Sequence, residues 1–199
     1  MKFTLSTIAL LITLLSGSVV AQDPTPTPKV EEVVTIVGKE FKSTEGGFTV
    51  IFPGTPKLEE KASNTSIGPV KTHLAILETG SAVFYVSYVD LPASLETPEE
   101  IRKGLDSSRD QVIASGHRLI SENDVTVSGV GGRELLMETN GLIFRARFFY
   151  FKPRLYQLIF GTRAALAFRN GKSSPDPADR TELFETTSKK FFESFKLTR

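Results

Sequence analysis

Apolar and polar residues alternate through much of the second half of the chain, and this pattern predicts four consecutive β-strands. They lie at about residues 118–127, 133–139, 142–151 and 155–162. Asn140-Gly141, between the second and third of these strands, is typical of a two-residue hairpin turn in which both residues have positive φ. The turn predicts that Glu134 lies directly across from Arg147.

The two faces of this predicted hairpin differ in character. One face carries Leu135, Met137, Phe144, Ala146 and Phe148, and the other carries Glu134, Glu138, Arg145 and Arg147. We expect a three-residue turn near Lys152-Pro153. That length would place Tyr156, Leu158 and Phe160 on the apolar side, whereas a two-residue turn would place them among the arginines.

Shorter apolar runs predict further strands in the first half, at residues 48–52, 72–78 and 82–90, with a short run at 33–37 as an edge strand. The strands at 72–78 and 82–90 form a hairpin in which His73 shares a face with Tyr88. Residues 53–70 are rich in Pro, Gly, Ser and Lys, and we expect a long loop there.

Two segments have the caps and periodicity of α-helices. Thr97-Pro98-Glu99-Glu100 is a capping box with proline at the first helical position, and Gly116 is suited to end this helix. Its expected buried stripe is Ile101, Leu105, Val112 and Ile113. Asp176-Pro177 opens the second helix, with an expected buried stripe of Leu183, Phe184, Thr187, Phe191 and Phe195.

The order of strands, helix, strands and helix, with a hairpin at every short connection, predicts an α+β domain built on an antiparallel sheet. We expect about six to seven strands. The strand at 82–90 is apolar on both faces, so helices are expected on both faces of the sheet, in an αβα sandwich.

The first 37 residues differ from the rest. Residues 1–21 combine Lys2, an apolar run of about 13 residues, and Val19 and Ala21 at the small-residue positions before a cleavage site. A membrane anchor needs roughly 20 apolar residues. We therefore expect a cleaved signal peptide, touching the membrane only transiently, and a secreted or periplasmic chain. Residues 22–37 form a Pro-rich leader, and 38–199 a single domain.

Composition excludes several classes of protein. The 24 Lys and Arg residues nearly balance the 23 Asp and Glu residues, so there is no electrostatic case for a nucleic-acid partner. The absence of cysteine excludes thiol catalysis, thiolate metal sites and disulfides.

The sequence contains no recognisable motif for catalysis, cofactor binding or metal binding. His73 and His117 are the two histidines, 44 residues apart, and neither belongs to a metal-ligand spacing or accompanies a Gly-x-Ser-x-Gly motif. Ser128-Gly-Val-Gly-Gly132 is expected to be a hairpin turn and not a phosphate loop, because a strand follows it. We therefore assign no catalytic, cofactor-binding or metal-binding residue. Asn64-Thr65-Ser66 is a glycosylation sequon only in a eukaryotic secretory route.

Four residues are candidate partner contacts. Arg145 and Arg147 either pair with Glu138 and Glu134 across the strands or form a binding patch. Phe149 and Phe151 belong to the core if a helix covers their face, and otherwise form an exposed apolar patch.

Several segments resemble a known group of proteins. They are Phe41-Lys-Ser-Thr-Glu-Gly-Gly-Phe-Thr-Val-Ile-Phe-Pro-Gly54, Gly132-Arg-Glu, Arg154-Leu-Tyr-Gln and Phe191-Phe-Glu-Ser-Phe-Lys-Leu197. They resemble small exported bacterial domains of unknown function that are similar to the PsbP superfamily, the extrinsic proteins of photosystem II. The resemblance covers residues 38–197 and implies an αβα sandwich and a non-enzymatic role. No metal-binding motif of that superfamily can be placed on this chain.

Two functions are therefore expected. The first is a non-enzymatic exported module that binds, or assists the assembly of, an envelope or extracellular protein. The alternative is a carrier of a small hydrophobic ligand or lipid in a cavity lined by some of the 15 phenylalanines. A deep apolar pocket would favour the carrier, and a filled core with an exposed apolar patch would favour the partner-binding module.

Overall fold

The computed structural model describes residues 38–65, 68–80, 82–91, 97–163 and 177–198. Its elements in chain order are β1 Lys39–Ser43, β2 Phe48–Phe52, β3 Lys57–Thr65, β4 Gly68–Glu78, β5 Ala82–Asp90, α1 Pro98–Ala114, β6 Arg118–Val127, β7 Val130–Thr139, β8 Leu142–Phe151, β9 Arg154–Arg163, α2 Pro177–Ser194 and β10 Lys196–Leu197. The predicted signal peptide, leader, strand at 33–37 and cap at Asp176 lie outside the described residues.

Seven strands form an antiparallel sheet in the order β3-β4-β5-β9-β8-β7-β6, and β1, β2 and β10 form a smaller sheet. The predicted α+β architecture is confirmed. The Asn140-Gly141 turn is also confirmed, with φ values of 46° and 74°. It places Thr139 opposite Leu142 and Glu134 opposite Arg147.

Both faces of the large sheet are covered, as the apolar strand at 82–90 predicted. On one face, α2 and the small sheet pack against the strands, and Phe191 lies with its ring centroid 5.3 Å from that of Phe84 and 5.5 Å from that of Phe52. On the other face, Leu105 and Val112 of α1 join a second apolar cluster. The αβα arrangement therefore has two cores, one on each side of the sheet.

The turn between β8 and β9 corrects the prediction. It has two residues, with Phe151 opposite Arg154 and Lys152 at a φ of 58°. Tyr156, Leu158 and Phe160 therefore share a face with the arginines. The prediction was wrong because it assumed that the arginine face is wet, whereas α2 covers it and makes it a core face.

The capping box of α1 is confirmed. The Glu100 amide donates to Thr97 Oγ1 at 3.2 Å, and the Thr97 amide donates to Glu100 Oε2 at 3.0 Å. Gly116 follows the C-cap with a φ of 92°. Ile113 is 42% exposed, contrary to prediction, because successive residues on a helix are about 100° apart and its neighbour Val112 takes the buried position.

The predicted long loop at 53–70 contains β3 and the start of β4, which is a second correction. Apart from Leu58, which is exposed, β3 consists of Lys and Glu residues followed by small or polar residues. Backbone pairing with β4 holds the strand, with Leu58 opposite Ala75 and Glu60 opposite His73. Charged residues are common on edge strands. They leave no alternation of apolar and polar residues from which the strand could be predicted.

Candidate binding cleft

A cleft of about 210 Å³ opens between the small sheet and the β3 end of the large sheet. Neighbouring positions on three paired strands form its floor, because Glu60 lies opposite His73, which lies opposite Tyr88. Residues of β1 and of the turn after it form the wall. The apolar part of the lining is Phe41, Phe48, Leu58, Leu74, Ala75 and Val86, and the polar part is Ser43, Glu45, Glu59, Glu60, His73 and Tyr88.

An aromatic stack makes the floor of the cleft rigid. The ring of His73 lies 4.6 Å from that of Tyr88, with 4° between the two planes. Arg154 reaches Tyr88 from β9, on the other side of β5, and its Cζ lies 4.6 Å from the ring centroid. Burial raises the pKa of Tyr88 to about 12, and the nearby carboxylate of Glu45 adds to the effect. Tyr88 is therefore a neutral stacking surface at physiological pH.

Two carboxylates approach the imidazole of His73. Glu60 Oε1 lies 3.1 Å from Nδ1, and Glu45 Oε1 lies 3.8 Å from Nε2. The other oxygen of Glu60 is 2.5 Å from Lys71 Nζ, and this hydrogen bond lowers the pKa of Glu60. Glu45 is 73% exposed, and among the residues that the structure describes no Lys or Arg lies within 4.0 Å of its carboxylate.

Two hydrogen bonds from side chains of β9 fix the turn that carries Glu45. The backbone carbonyl of Glu45 accepts a hydrogen bond from Arg154 Nη1 at 2.9 Å, and that of Gly46 accepts one from the Tyr156 hydroxyl at 2.8 Å. A Cβ on Gly46 would lie 2.6 Å from the ring of Phe48 and 2.8 Å from that of Tyr88. Only glycine fits at position 46. The turn that contains Gly46 and Gly47 therefore holds Glu45 at the cleft.

The predicted partner contacts lie elsewhere, between the sheet and α2. Arg147 Nε donates to Glu134 Oε2 at 2.6 Å, which confirms the predicted cross-strand pair. The predicted pairing of Arg145 with Glu138 is wrong. Arg145 instead contacts Glu185 of α2, and Glu138 pairs with Arg118. The helix brings a carboxylate directly over Arg145, which the strand register alone could not reveal.

Phe149 and Phe151 belong to the face that α2 and β10 cover. Phe149 has no exposed surface and stacks on Phe195 at 6.4 Å, and Phe151 is half-buried. Of the two possibilities left open by the sequence, the structure shows the core arrangement. In this conformation Phe149 offers no surface to a partner.

The other residues considered in the sequence analysis lie outside the cleft lining. His117 Nδ1 lies 3.1 Å from the hydroxyl of Ser115, and burial lowers its pKa. Ser128 and Gly129 form the predicted hairpin turn. Asn64 is exposed near the end of β3.

In the described ranges no group of three His, Asp or Glu side chains could hold a metal ion. Neither α1 nor α2 has the length and apolar character that a membrane-crossing helix needs.

Sequence reasoning missed the cleft as a unit. It placed His73 on the same face as Tyr88, but it put Glu60 in a loop and gave Glu45 no role. One signal was present, because Gly46-Gly47 directly before the strand at 48–52 predicts a tight turn that would present Glu45 to solvent. The convergence of that turn with β3 depends on how two separate sheets pack.

Similarities to known proteins are confined to solved structures. The solution structure of cyanobacterial PsbP from Synechocystis sp. PCC 6803 has a TM-score of 0.48 and 13% identity, covering 87% of this chain and 98% of that one. A protein of unknown function from Pseudomonas aeruginosa has a TM-score of 0.43 and 14% identity, covering 79% and 94%. These likenesses concern the fold and carry nothing about activity. No protein-family model matches the chain, and no curated protein sequence matches it.

Proposed function

We propose that this chain is a non-enzymatic exported module that binds a protein partner through the cleft beside β3. Export rests on the signal-peptide pattern of residues 1–21, and the leader at 22–37 would lie between the cleavage site and the domain. The observation that carries the proposal is Leu58, a large apolar side chain that is 63% exposed on an edge strand and lines the cleft. Leu58 shares the cleft lining with Phe41, Phe48, Ala75 and Val86, and an apolar patch at a concave site, unlike a single exposed side chain, is typical of protein contacts.

The state of the core favours partner binding over carriage of a lipid. Seven of the largest fully buried side chains are phenylalanines, and the rings of four of them, Phe52, Phe84, Phe191 and Phe192, pack on one another. They fill the space that a carrier would leave open. The cleft, at about 210 Å³, is smaller than the roughly 300–1,000 Å³ of typical small-molecule sites. It has room for one or two side chains of a partner.

The polar groups of the cleft are held by contacts with their neighbours. His73 is stacked on Tyr88 and engaged by Glu60, and the hydroxyl of Ser43 accepts the amide hydrogen of Gly46 at 2.9 Å. These contacts hold the groups in place and support a recognition surface.

Site-specific photo-cross-linking in the native host tests the proposal. The cross-linking residue p-benzoylphenylalanine replaces Leu58 in one variant and Ile120 in the control. Ile120 is 43% exposed on β6, the opposite edge of the same sheet. We expect one cross-linked protein at position 58 that is absent at position 120 and decreases when excess unmodified chain competes. The same product at both positions, or none at position 58, would overturn the proposal.

A further inference from the structure

The imidazole of His73 faces two carboxylates, those of Glu60 and Glu45. A neutral imidazole has one N–H and one lone pair. If Nδ1 donates to Glu60 at 3.1 Å, the lone pair of Nε2 faces the carboxylate of Glu45 at 3.8 Å. Two acceptors then face each other without a hydrogen between them, which is unfavourable. An external cation beside Glu45 would remove this mismatch.

The charged groups around the imidazole leave the same imbalance. Glu60 from β3 is matched by Lys71 from β4. Arg154, on the other side of Tyr88, is bound by Asp90 at 2.6 Å and by the backbone carbonyl of Glu45. Glu59 is matched by Lys57 at 2.8 Å. Of the carboxylates that the structure describes around the imidazole, that of Glu45 has no cationic partner, and it lines the cleft.

We propose that the cleft receives the side chain of a lysine or arginine from an extended segment of the protein partner. The cationic group would bind the carboxylate of Glu45, beside the pair formed by Glu60 and Lys71, and this deepens, and rests on, the function proposed above. Hydrogen bonds between a cation and a carboxylate are shorter and stronger than neutral ones.

Leu58 makes the occupant a peptide segment and not a free cation. Leu58 and Glu60 are two residues apart on the same face of β3, so their side chains leave the strand about 6.7 Å apart. An extended partner places side chains on one face at the same interval. We therefore infer that the partner segment has a basic residue and an apolar residue at positions i and i+2.

A peptide with a matched neutral control tests this inference. The probes are acetyl-Thr-Leu-Thr-Arg-Thr-amide, the same peptide with citrulline in place of arginine, and N-acetylarginine amide alone. Citrulline keeps the shape of arginine and removes its charge. Amide chemical shifts of the exported chain, followed by NMR during titration, give each Kd and the residues affected.

We expect the arginine peptide to bind roughly five-fold more tightly than the citrulline peptide, with shifts at Glu45, Leu58 and His73. Glu45→Gln should remove that preference. Glu40→Gln is the control, because Glu40 is exposed on β1 at a position of opposite parity to the cleft residues Phe41 and Ser43.

Any of the following results would overturn the inference. Equal Kd values for the two peptides, absence of binding by both, or an unchanged preference in Glu45→Gln would exclude a cationic occupant. Equal binding of N-acetylarginine amide and the arginine peptide would exclude the segment and leave a small-cation site. In all these cases a position-specific cross-link at Leu58 would still support partner binding, so failure of this inference and failure of the proposed function are separable.

Discussion

Arg145 of β8 and Glu185 of α2 form a two-pronged ion pair, with Nη1 2.6 Å from Oε2 and Nη2 2.5 Å from Oε1. Arg145 also donates to Ser188 at 2.9 Å, and its Cζ lies 5.3 Å from the ring centroid of Phe184. A guanidinium that is largely withdrawn from water is thus held by one turn of the helix. The pair fixes the position of α2 on the sheet.

Glu185→Gln should lower the free energy of unfolding by about 1–2 kcal/mol, because it leaves the charge of Arg145 mostly buried with Glu134, 3.5 Å away, as its remaining carboxylate. Urea unfolding measures the change. Glu193→Gln is the matched control on the same helix, since Glu193 is exposed and 3.9 Å from Lys189. Equal effects of the two substitutions would contradict a role for Glu185 in docking the helix.

Arg147 and Glu134 should be energetically coupled. Their side chains are 17% and 14% exposed, and Arg147 also lies 4.7 Å from the ring centroid of Phe192. A double-mutant cycle to alanine should give a coupling of about 1 kcal/mol, above the few tenths typical of exposed pairs. Coupling near zero would mean that the close contact contributes nothing measurable. Reversal of both charges should be poorly tolerated, because Arg145 would then face a second cation.

Gly46→Ala should destabilise the chain by roughly 1–3 kcal/mol, because the new methyl group would overlap the hydroxyl of Ser43 and the rings of Phe48 and Tyr88. The comparison is Gly131→Ala, where a methyl group meets nothing within 4 Å. Thermal unfolding of the two variants checks the prediction. Similar melting temperatures would show that the turn can move without cost.

Asp106 of α1 should contribute to stability at neutral pH. Its hydrogen bond from Arg133 of β7 lowers its pKa. A carboxylate with a lowered pKa stabilises the fold above its unfolded pKa, and that contribution is lost as the pH falls through the folded pKa. Asp106→Asn should therefore flatten the decline of stability between about pH 5 and pH 2, by a few tenths to about 1 kcal/mol.

Urea titrations across this pH range provide the measurement for Asp106. Asp124→Asn is the control, because Asp124 is 91% exposed and lies 3.7 Å from the same arginine. An Asp106→Asn profile parallel to that of the unmodified chain would argue against the pair as a source of acid sensitivity.

The exported chain should begin at Gln22. Val19 and Ala21 precede the expected cut, and small residues at those positions are what the peptidase selects. Intact-mass measurement on protein recovered from outside the cytoplasm checks the start. A mass that retains residues 1–21 would contradict both the cleavage and the proposed export.

Features determined by neighbouring residues were predicted from the sequence alone. The capping box at Thr97, the Asn140-Gly141 turn and the pairing of Glu134 with Arg147 depend on short-range geometry, in which a few residue types have strong preferences. The strand at 82–90 is apolar on both sides. This pattern also predicted that both faces of the sheet are covered, because each apolar side has to be buried against another layer.

Only the tertiary structure decided the remaining features. The pairing of Arg145 with Glu185, the two-residue turn at Lys152-Pro153 and strand β3 depend on which surface packs against which. Packing buries arginines that a local pattern would leave in water, and backbone pairing makes a strand of a polar segment. The cleft belongs to this second group, because Glu45, Glu60 and His73 meet where two sheets approach each other, and no sequence spacing encodes that approach.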